Sequence, residues 1–248
     1  MQSVKEYTFD NFIMGKSNQV AFMAAKSVAQ KPAETYNPLI IYGKSGLGKT
    51  HLLNAIYNCI HESTPDFSIL MVTADELTLE MISAIKAKQT DAWRQSIISS
   101  DVLLIDDAHV LAGKQSTQIE FAHLIRDCVG KKHQVVMTAS IEPEKLPFLE
   151  SSLQSDYERC LIADIQPLDM ETCRLVARDK ATRCGLSLSD EMLEQIVSHA
   201  NGEIRRLGGI ISRLRAEEEL MSSSVDSAMV KQICEDYDRA FSQGGDLI

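Results

Sequence analysis

Apolar residues fall along this chain in two kinds of run. Short, nearly continuous runs at Leu39–Tyr42, Ser68–Thr73, Val102–Asp106, Gln134–Thr138 and Ala163–Ile165 have the length and β-branched content of buried strands. Between them, apolar residues return every three or four positions, the period of a helix with one buried face. These stretches are Lys49–Glu62, Asp75–Lys88 and Thr117–Gly130, with Asn18–Ala29 ahead of the first strand. Residues 1–17 read as an extended lead-in, and Pro32 to Pro38 as a break. Alternating strands and helices predict an α/β fold, a parallel sheet sandwiched by helices. After Pro167 the strand pattern stops. Asp169–Cys184, Ser189–His199, Glu203–Met221 and Ser227–Tyr237 read as helices, with Asp169, Ser189 and Asn201 placed as N-terminal caps. The expected organisation is an α/β domain over residues 1–167 and a small all-helical domain over residues 168–248.

One segment carries specific chemistry. Gly43-Lys44-Ser45-Gly46-Leu47-Gly48-Lys49-Thr50 satisfies G-x-x-x-x-G-K-[ST] and lies between the first predicted strand and a helix. Glycine lets the backbone wind tightly enough for its N–H groups to converge on phosphate oxygens, and the helix N-terminus behind adds a favourable dipole. In this pattern Lys49 reaches the β- and γ-phosphates and the Thr50 hydroxyl ligates Mg²⁺. A second segment, Val102-Leu103-Leu104-Ile105-Asp106-Asp107, delivers two carboxylates at the C-terminal end of a buried strand, the edge where open α/β sheets bind ligands. Asp106 is suited to hold Mg²⁺ through water, and Asp107 to orient or deprotonate an attacking water. The pair of motifs predicts a P-loop protein that binds ATP and ADP with Mg²⁺ and hydrolyses the triphosphate.

Composition narrows the setting. The net charge is −10, so the chain has no overall basic balance for gripping nucleic acid, and any such contact must come from a local patch, from several subunits or from a partner. No apolar window approaches the roughly 18 residues of a membrane span, and the first residues have no apolar signal core. Six scattered cysteines without a C-x-x-C pair read as reduced thiols, most of them small core residues, and the expected location is cytoplasmic. The six histidines show no ligand spacing.

The motifs together resemble the AAA+ core of the DnaA family of bacterial replication initiators. The resemblance rests on Tyr7-Thr8-Phe9-Asp10-Asn11-Phe12 with Gly15, on Tyr36-Asn37-Pro38-Leu39-Ile40-Ile41-Tyr42-Gly43, and on Gly46-Leu47-Gly48-Lys49-Thr50-His51-Leu52-Leu53. It continues through Asp101 to Asp107, Leu111-Ala112-Gly113-Lys114 and Ile165-Gln166-Pro167, and spans about Tyr7 to Tyr237. It implies that the lead-in around Phe12, Ile13 and Gly15 wraps adenine, the alternative being a stub packed on the lid. It implies that the P-loop residues with His51 and Ser140 line the nucleotide. In Asn201-Gly202-Glu203-Ile204-Arg205-Arg206-Leu207-Gly208-Gly209, Arg205 takes the place of the lid arginine that touches the phosphates and Arg206 reads as a surface charge, with the choice between the two arginines left open by the sequence. An arginine at a helix start opposes the helix dipole, which points to a functional partner. The helix at Asp75–Lys88 corresponds to one that lines a single-stranded DNA groove in the family, with Lys86, Lys88 and Lys114 near that surface.

Departures from the family pattern are equally specific. Ser140 stands where the family presents a sensor aspartate, and a hydroxyl still hydrogen-bonds without charge. Asp156 stands where the family carries an arginine finger for a neighbouring subunit's ATP; Arg159 is the alternative finger, displaced in register by most of a helical turn. Losing the finger is worth orders of magnitude in rate, so slow hydrolysis and a nucleotide switch are expected. The family's duplex-reading helix-turn-helix module is not matched; a fragment and a stand-alone relative both fit that. The leading expectation is a DnaA-like ATPase acting in replication initiation, with other DnaA-type AAA+ subunits and single-stranded DNA as partners. The alternatives are a stand-alone regulator that caps or inactivates initiator filaments, and a helicase loader that contacts the replicative helicase.

Overall fold

A computed structural model describes residues 3–111, 115–141, 161–221 and 224–243. Backbone contacts divide the chain into two compact units, the first of Met1–Phe12 and Asn18–Gln166, the second of Ile13–Ser17 and Pro167–Ile248.

The first unit is built on five parallel strands: β1 (Leu39–Tyr42), β2 (Ile69–Thr73), β3 (Val102–Asp106), β4 (Gln134–Ala139) and β5 (Leu161–Asp164). Their order in the sheet is β2-β3-β4-β1-β5. Alternate residues face opposite sides, so β1 to β4 each feed two cores, while the edge strand β5 feeds one and leaves Ile162 exposed. Ile40, Leu103, Ile105, Val135 and Met137 pack on one side with α3 (Ala74–Ala87), α4 (Thr90–Ile98) and α5 (Gln115–Gly130). Leu39, Ile41, Leu104, Val136 and Ala163 pack on the other with α1 (Gln19–Gln30) and α2 (Lys49–Ser63). Burial on both faces explains why β1 to β4 are runs of apolar residues with no polar alternation.

The connections are set locally. Thr73 ends β2 and caps α3: its hydroxyl accepts from the Glu76 N–H while the Glu76 carboxylate accepts from the Thr73 N–H. Those hydrogen bonds hold the Glu76 carboxyl below its usual range. Lys88 then takes a left-handed conformation at φ 55°, which stops α3. The helical pattern read as Asp75–Lys88 is therefore followed by a second helix, α4, whose nine residues bury only Ile97 and Ile98 fully and are too short to show a period. The last strand lies at 161–164 and not 163–165, because pairing of Leu39–Tyr42 with Leu161–Asp164 sets its register.

The second unit holds four helices among the described residues: α6 (Met170–Arg183), α7 (Asp190–Ala200), α8 (Ile204–Met221) and α9 (Ser227–Gln243). Their core is Val176, Ala177, Ile196, Leu207, Ile210, Leu214, Val230 and Ile233 with their neighbours. Asp169 and Ser189 cap α6 and α7 through bonds from the Thr172 and Met192 N–H groups. Asn201, read as an N-terminal cap, does the opposite: at φ 51° it is the left-handed residue that ends α7. Asparagine suits both jobs because its short polar side chain tolerates that region. The final helix runs to Gln243, past the Tyr237 expected from the pattern.

Cys128, Cys173 and Cys234 are buried, Cys59 and Cys184 half-buried, and all five are free thiols; Cys160 lies outside the described residues. Burial pushes the thiols of Cys128 and Cys234 up to about 11. No helix among the described residues is long and apolar enough to cross a membrane.

Candidate functional site

Strand β1 ends in the glycine-rich loop. The Gly43 N–H donates to the Ala139 carbonyl at 3.1 Å, which ties the loop to the end of β4. Gly43 has φ 153°, and a Cβ there would collide with the Ile165 carbonyl oxygen, so no larger residue fits. Gly46 and Gly48 sit at φ 83° and 98°, and Gly48 is the N-cap residue of α2. Leu47 is 1% exposed and anchors the loop in the α1/α2 core. Its side chain is thus turned into the core. Lys49 is buried, and its Nζ donates to the carbonyls of Gly43 at 2.6 Å and Lys44 at 2.9 Å. Ser45 is exposed on the turn. A buried ammonium inside a loop followed by a helix N-terminus, whose first N–H groups have no helical acceptor, is a fitting cradle for a polyphosphate.

Opposite the loop, β3 delivers Asp106, 4% exposed. Each of its carboxylate oxygens accepts from a different hydroxyl. Thr50 Oγ1 donates to Asp106 Oδ2 at 2.9 Å, and Thr138 Oγ1, on the adjacent β4, donates to Asp106 Oδ1. The same Thr138 hydroxyl accepts from the Asp107 N–H at 3.0 Å. One serial chain, Thr50–Asp106–Thr138–Asp107, therefore joins the P-loop to both carboxylates. Asp107 itself is in the left-handed region at φ 56°, a conformation costing about 1–2 kcal/mol for a residue with a Cβ. That turn leaves its carboxylate half-exposed. His109 Nδ1 lies 3.7 Å from Asp107 Oδ1 and accepts from the Ser140 N–H at 3.4 Å. Ser140 thus sits beside the carboxylate pair at the end of β4, joined through its main chain. A hard cation ligated by Thr50 and held by Asp106 through water fits this oxygen donor set.

The remaining expected residues lie in both units. Phe12 is buried in the first unit, stacked on Phe22 with centroids 5.6 Å apart and edge-on to His51 at 5.2 Å. His51 is stacked on Tyr7 at 4.7 Å, and its Nε2 bonds the Thr8 carbonyl at 2.9 Å. In the second unit Ile13 packs against the helical core, and Gly15 lies so close to Thr172 that a Cβ would overlap its hydroxyl. Arg205 is the second residue of α8 and is exposed. Arg206 is no surface charge: its side chain is 15% exposed and ion-paired with Asp238, which His199 Nδ1 also reaches at 2.6 Å. Lys86 and Lys88 are exposed at the end of α3. Lys114, Asp156 and Arg159 lie outside the described residues.

Thr138 and His109 carry the site but were not legible in the motifs. Their signal is weak, a hydroxyl one turn of pleat before Ser140 and a histidine two residues after Asp107.

A phosphate-cradling loop on β1, a carboxylate pair on β3, and β4 inserted between them define a P-loop ATPase core of the AAA+ type. The bacterial DnaA ATPase domain family matches residues 4–164, and the chain belongs to it. The chromosomal replication initiator protein DnaA of Caldanaerobacter subterraneus subsp. tengcongensis is 39% identical over 231 residues, covering 93% of this chain and 52% of that protein. The chain thus spans about half the length of the curated relatives it matches. Domain III of DnaA from Thermotoga maritima superposes with a TM-score of 0.88 at 32% identity, over 96% of this chain and 99% of that one. A DnaA solved with AMPPCP and single-stranded DNA gives 0.77 at 28% identity, over 88% of this chain and 68% of that one.

Proposed function

We propose that this chain binds ATP and ADP with Mg²⁺ and works as a DnaA-type nucleotide switch, with slow hydrolysis, in the initiation of bacterial chromosome replication. The observation that carries the reading is the hydroxyl–carboxylate chain from Thr50 through Asp106 and Thr138 to Asp107 beside the loop of Lys49. The family membership and the relatives solved with AMPPCP and with single-stranded DNA support it.

In this reading the N–H groups of Gly46, Leu47, Gly48, Lys49 and Thr50 hold phosphate oxygens, and the Lys49 ammonium turns from the loop carbonyls to the β- and γ-phosphates. Thr50 ligates Mg²⁺ and Asp106 holds it through water; the ion, when bound, neutralises charge on the phosphate oxygens. Asp107 orients a water and accepts its proton at a carboxylate oxygen, with Ser140 beside it. Arg205, exposed at the start of α8, is the candidate sensor arginine of the helical unit. Phe12 shapes the adenine end of the first unit's site. Asp156, where the family has its arginine finger, leaves the transition state without a neighbour's positive charge, which makes turnover slow. The partners are other DnaA-type subunits and single-stranded DNA near Lys86 and Lys114, with the replicative helicase or its loader as a further contact.

The test is anisotropy of a fluorescent single-stranded oligonucleotide at low salt, with ATP and with ADP, for the parent and Lys49→Ala. ATP-dependent binding is expected in the parent and is lost in the variant, together with ATP affinity, by about ten- to a hundredfold for one charge-assisted contact. An unchanged ATP affinity in Lys49→Ala rejects the site.

A further inference from the structure

Helix α2 does more than present the phosphate loop. His51, Asn54 and Asn58 recur at spacings of three and four, so they share one face of the helix. Asn54 is fully buried and Asn58 is 8% exposed. Buried amides are costly unless their hydrogen bonds are met, and here most of those bonds go to the main chain of the lead-in segment. Asn54 Oδ1 accepts from the Val4 N–H at 2.7 Å, and its Nδ2 donates back to the Thr50 carbonyl at 2.7 Å. Asn58 Nδ2 donates to the carbonyls of Val4 at 3.1 Å and Tyr7 at 2.8 Å. His51 Nε2 bonds the Thr8 carbonyl, so that ring nitrogen carries the proton, and the Tyr7 ring lies flat on the imidazole.

The lead-in is not a strand of the sheet, so these side chains substitute for the ladder that would otherwise satisfy its backbone. On the nucleotide reading above, they also connect the phosphate end of the site to its base end. The first turn of α2 holds the phosphate loop, and the segment that the ladder straps down runs straight into Phe12. We propose that His51, Asn54 and Asn58 are positioning residues for base recognition: they fix the lead-in on the phosphate-binding helix, so that base and triphosphate are met at a set spacing. This rests on the nucleotide reading above and adds a division of labour to it. The loop supplies affinity for the triphosphate, and the ladder supplies the preference for adenine.

The experiment compares dissociation constants of the full chain for ATP, GTP and inorganic tripolyphosphate, each with Mg²⁺. In Asn58→Asp the side chain keeps its shape but can only accept, so the Val4 and Tyr7 carbonyls lose their donor. ATP affinity is expected to fall about tenfold while tripolyphosphate affinity stays within about twofold, and the ATP to GTP ratio narrows. Tyr7→Ala leaves α2 intact and is expected to move the same ratios in the same direction, so it decides the matter if Asn58→Asp does not fold. Equal weakening towards ATP and tripolyphosphate, or unchanged ATP affinity in both variants, overturns the proposal. Failure of the nucleotide reading shows in the parent protein, which would then bind none of the three; failure of the ladder alone shows only in the variants.

Discussion

Replacing Thr138 by valine removes one oxygen and keeps the shape of the side chain, so no cavity opens in a fully buried position. Two interactions end. The Asp106 carboxylate, 4% exposed, loses a hydroxyl donor, a charge-assisted bond worth about 1.5–3 kcal/mol. The half-buried Asp107 N–H loses its acceptor at 3.0 Å, at the lower end of the roughly 1–3 kcal/mol for an orphaned buried donor. Thr50 still donates to the other oxygen of Asp106, and the added methyl group returns up to about 1 kcal/mol of apolar burial. The net expectation is a loss of about 2–3 kcal/mol from the first unit. Urea unfolding followed by fluorescence reads it directly, because Trp93 is the single tryptophan and packs against the α3/α4/α5 core of that unit. With a slope of about 2 kcal/mol/M, the midpoint should fall by about 1–1.5 M at unchanged slope. The same variant should weaken ATP binding with Mg²⁺ more than without it, since Asp106 is the group set free. A midpoint within about 0.3 M of the parent would refute the idea that this hydroxyl holds the carboxylate.

Three further outcomes follow from the geometry. Gly43→Ala drives a methyl group into the Ile165 carbonyl, which cannot retreat because the Ile165 N–H is bonded to Tyr42 at 2.8 Å; a loss of about 2 kcal/mol or more in the same unfolding assay is expected, and parental stability would contradict the close approach. Arg206→Met keeps an apolar stem but leaves Asp238 without its guanidinium, and should cost the helical unit about 1–3 kcal/mol in thermal melts by circular dichroism. The Thr172 N–H and hydroxyl bonds hold the Asp169 carboxyl below its usual range. Its contribution is therefore complete above the unfolded value of about 3.9 and is lost as pH falls through the lower folded value. Asp169→Asn, which still caps but does not titrate there, should flatten the decline of melting temperature below about pH 4, and identical acid limbs would remove Asp169 from the account.

The parts of the site that could be read in one dimension are those whose chemistry is local. Gly43, Gly46 and Gly48 are demanded by backbone angles within a single turn, and Lys49 and Thr50 by their distance from that turn. The pair Asp106–Asp107 is announced by the apolar run that carries it, and the strand and helix positions by periodicity within each segment. Local patterns become ambiguous where one residue type serves two purposes, as Asn201 does in ending a helix where a beginning was expected. They fall silent where the partner lies far along the chain. Thr138 touches Asp106 only because β4 pairs between β1 and β3 in the sheet. Arg206 is buried only because Asp238, 32 positions later, lies against it. Asn54 and Asn58 read as ordinary polar residues of a helix until the lead-in is seen lying across them, some 50 positions away in sequence. Backbone angles and periodicity are properties of neighbours in the chain and so are written there, whereas hydrogen-bond partners and burial are properties of neighbours in space, which tertiary packing alone supplies.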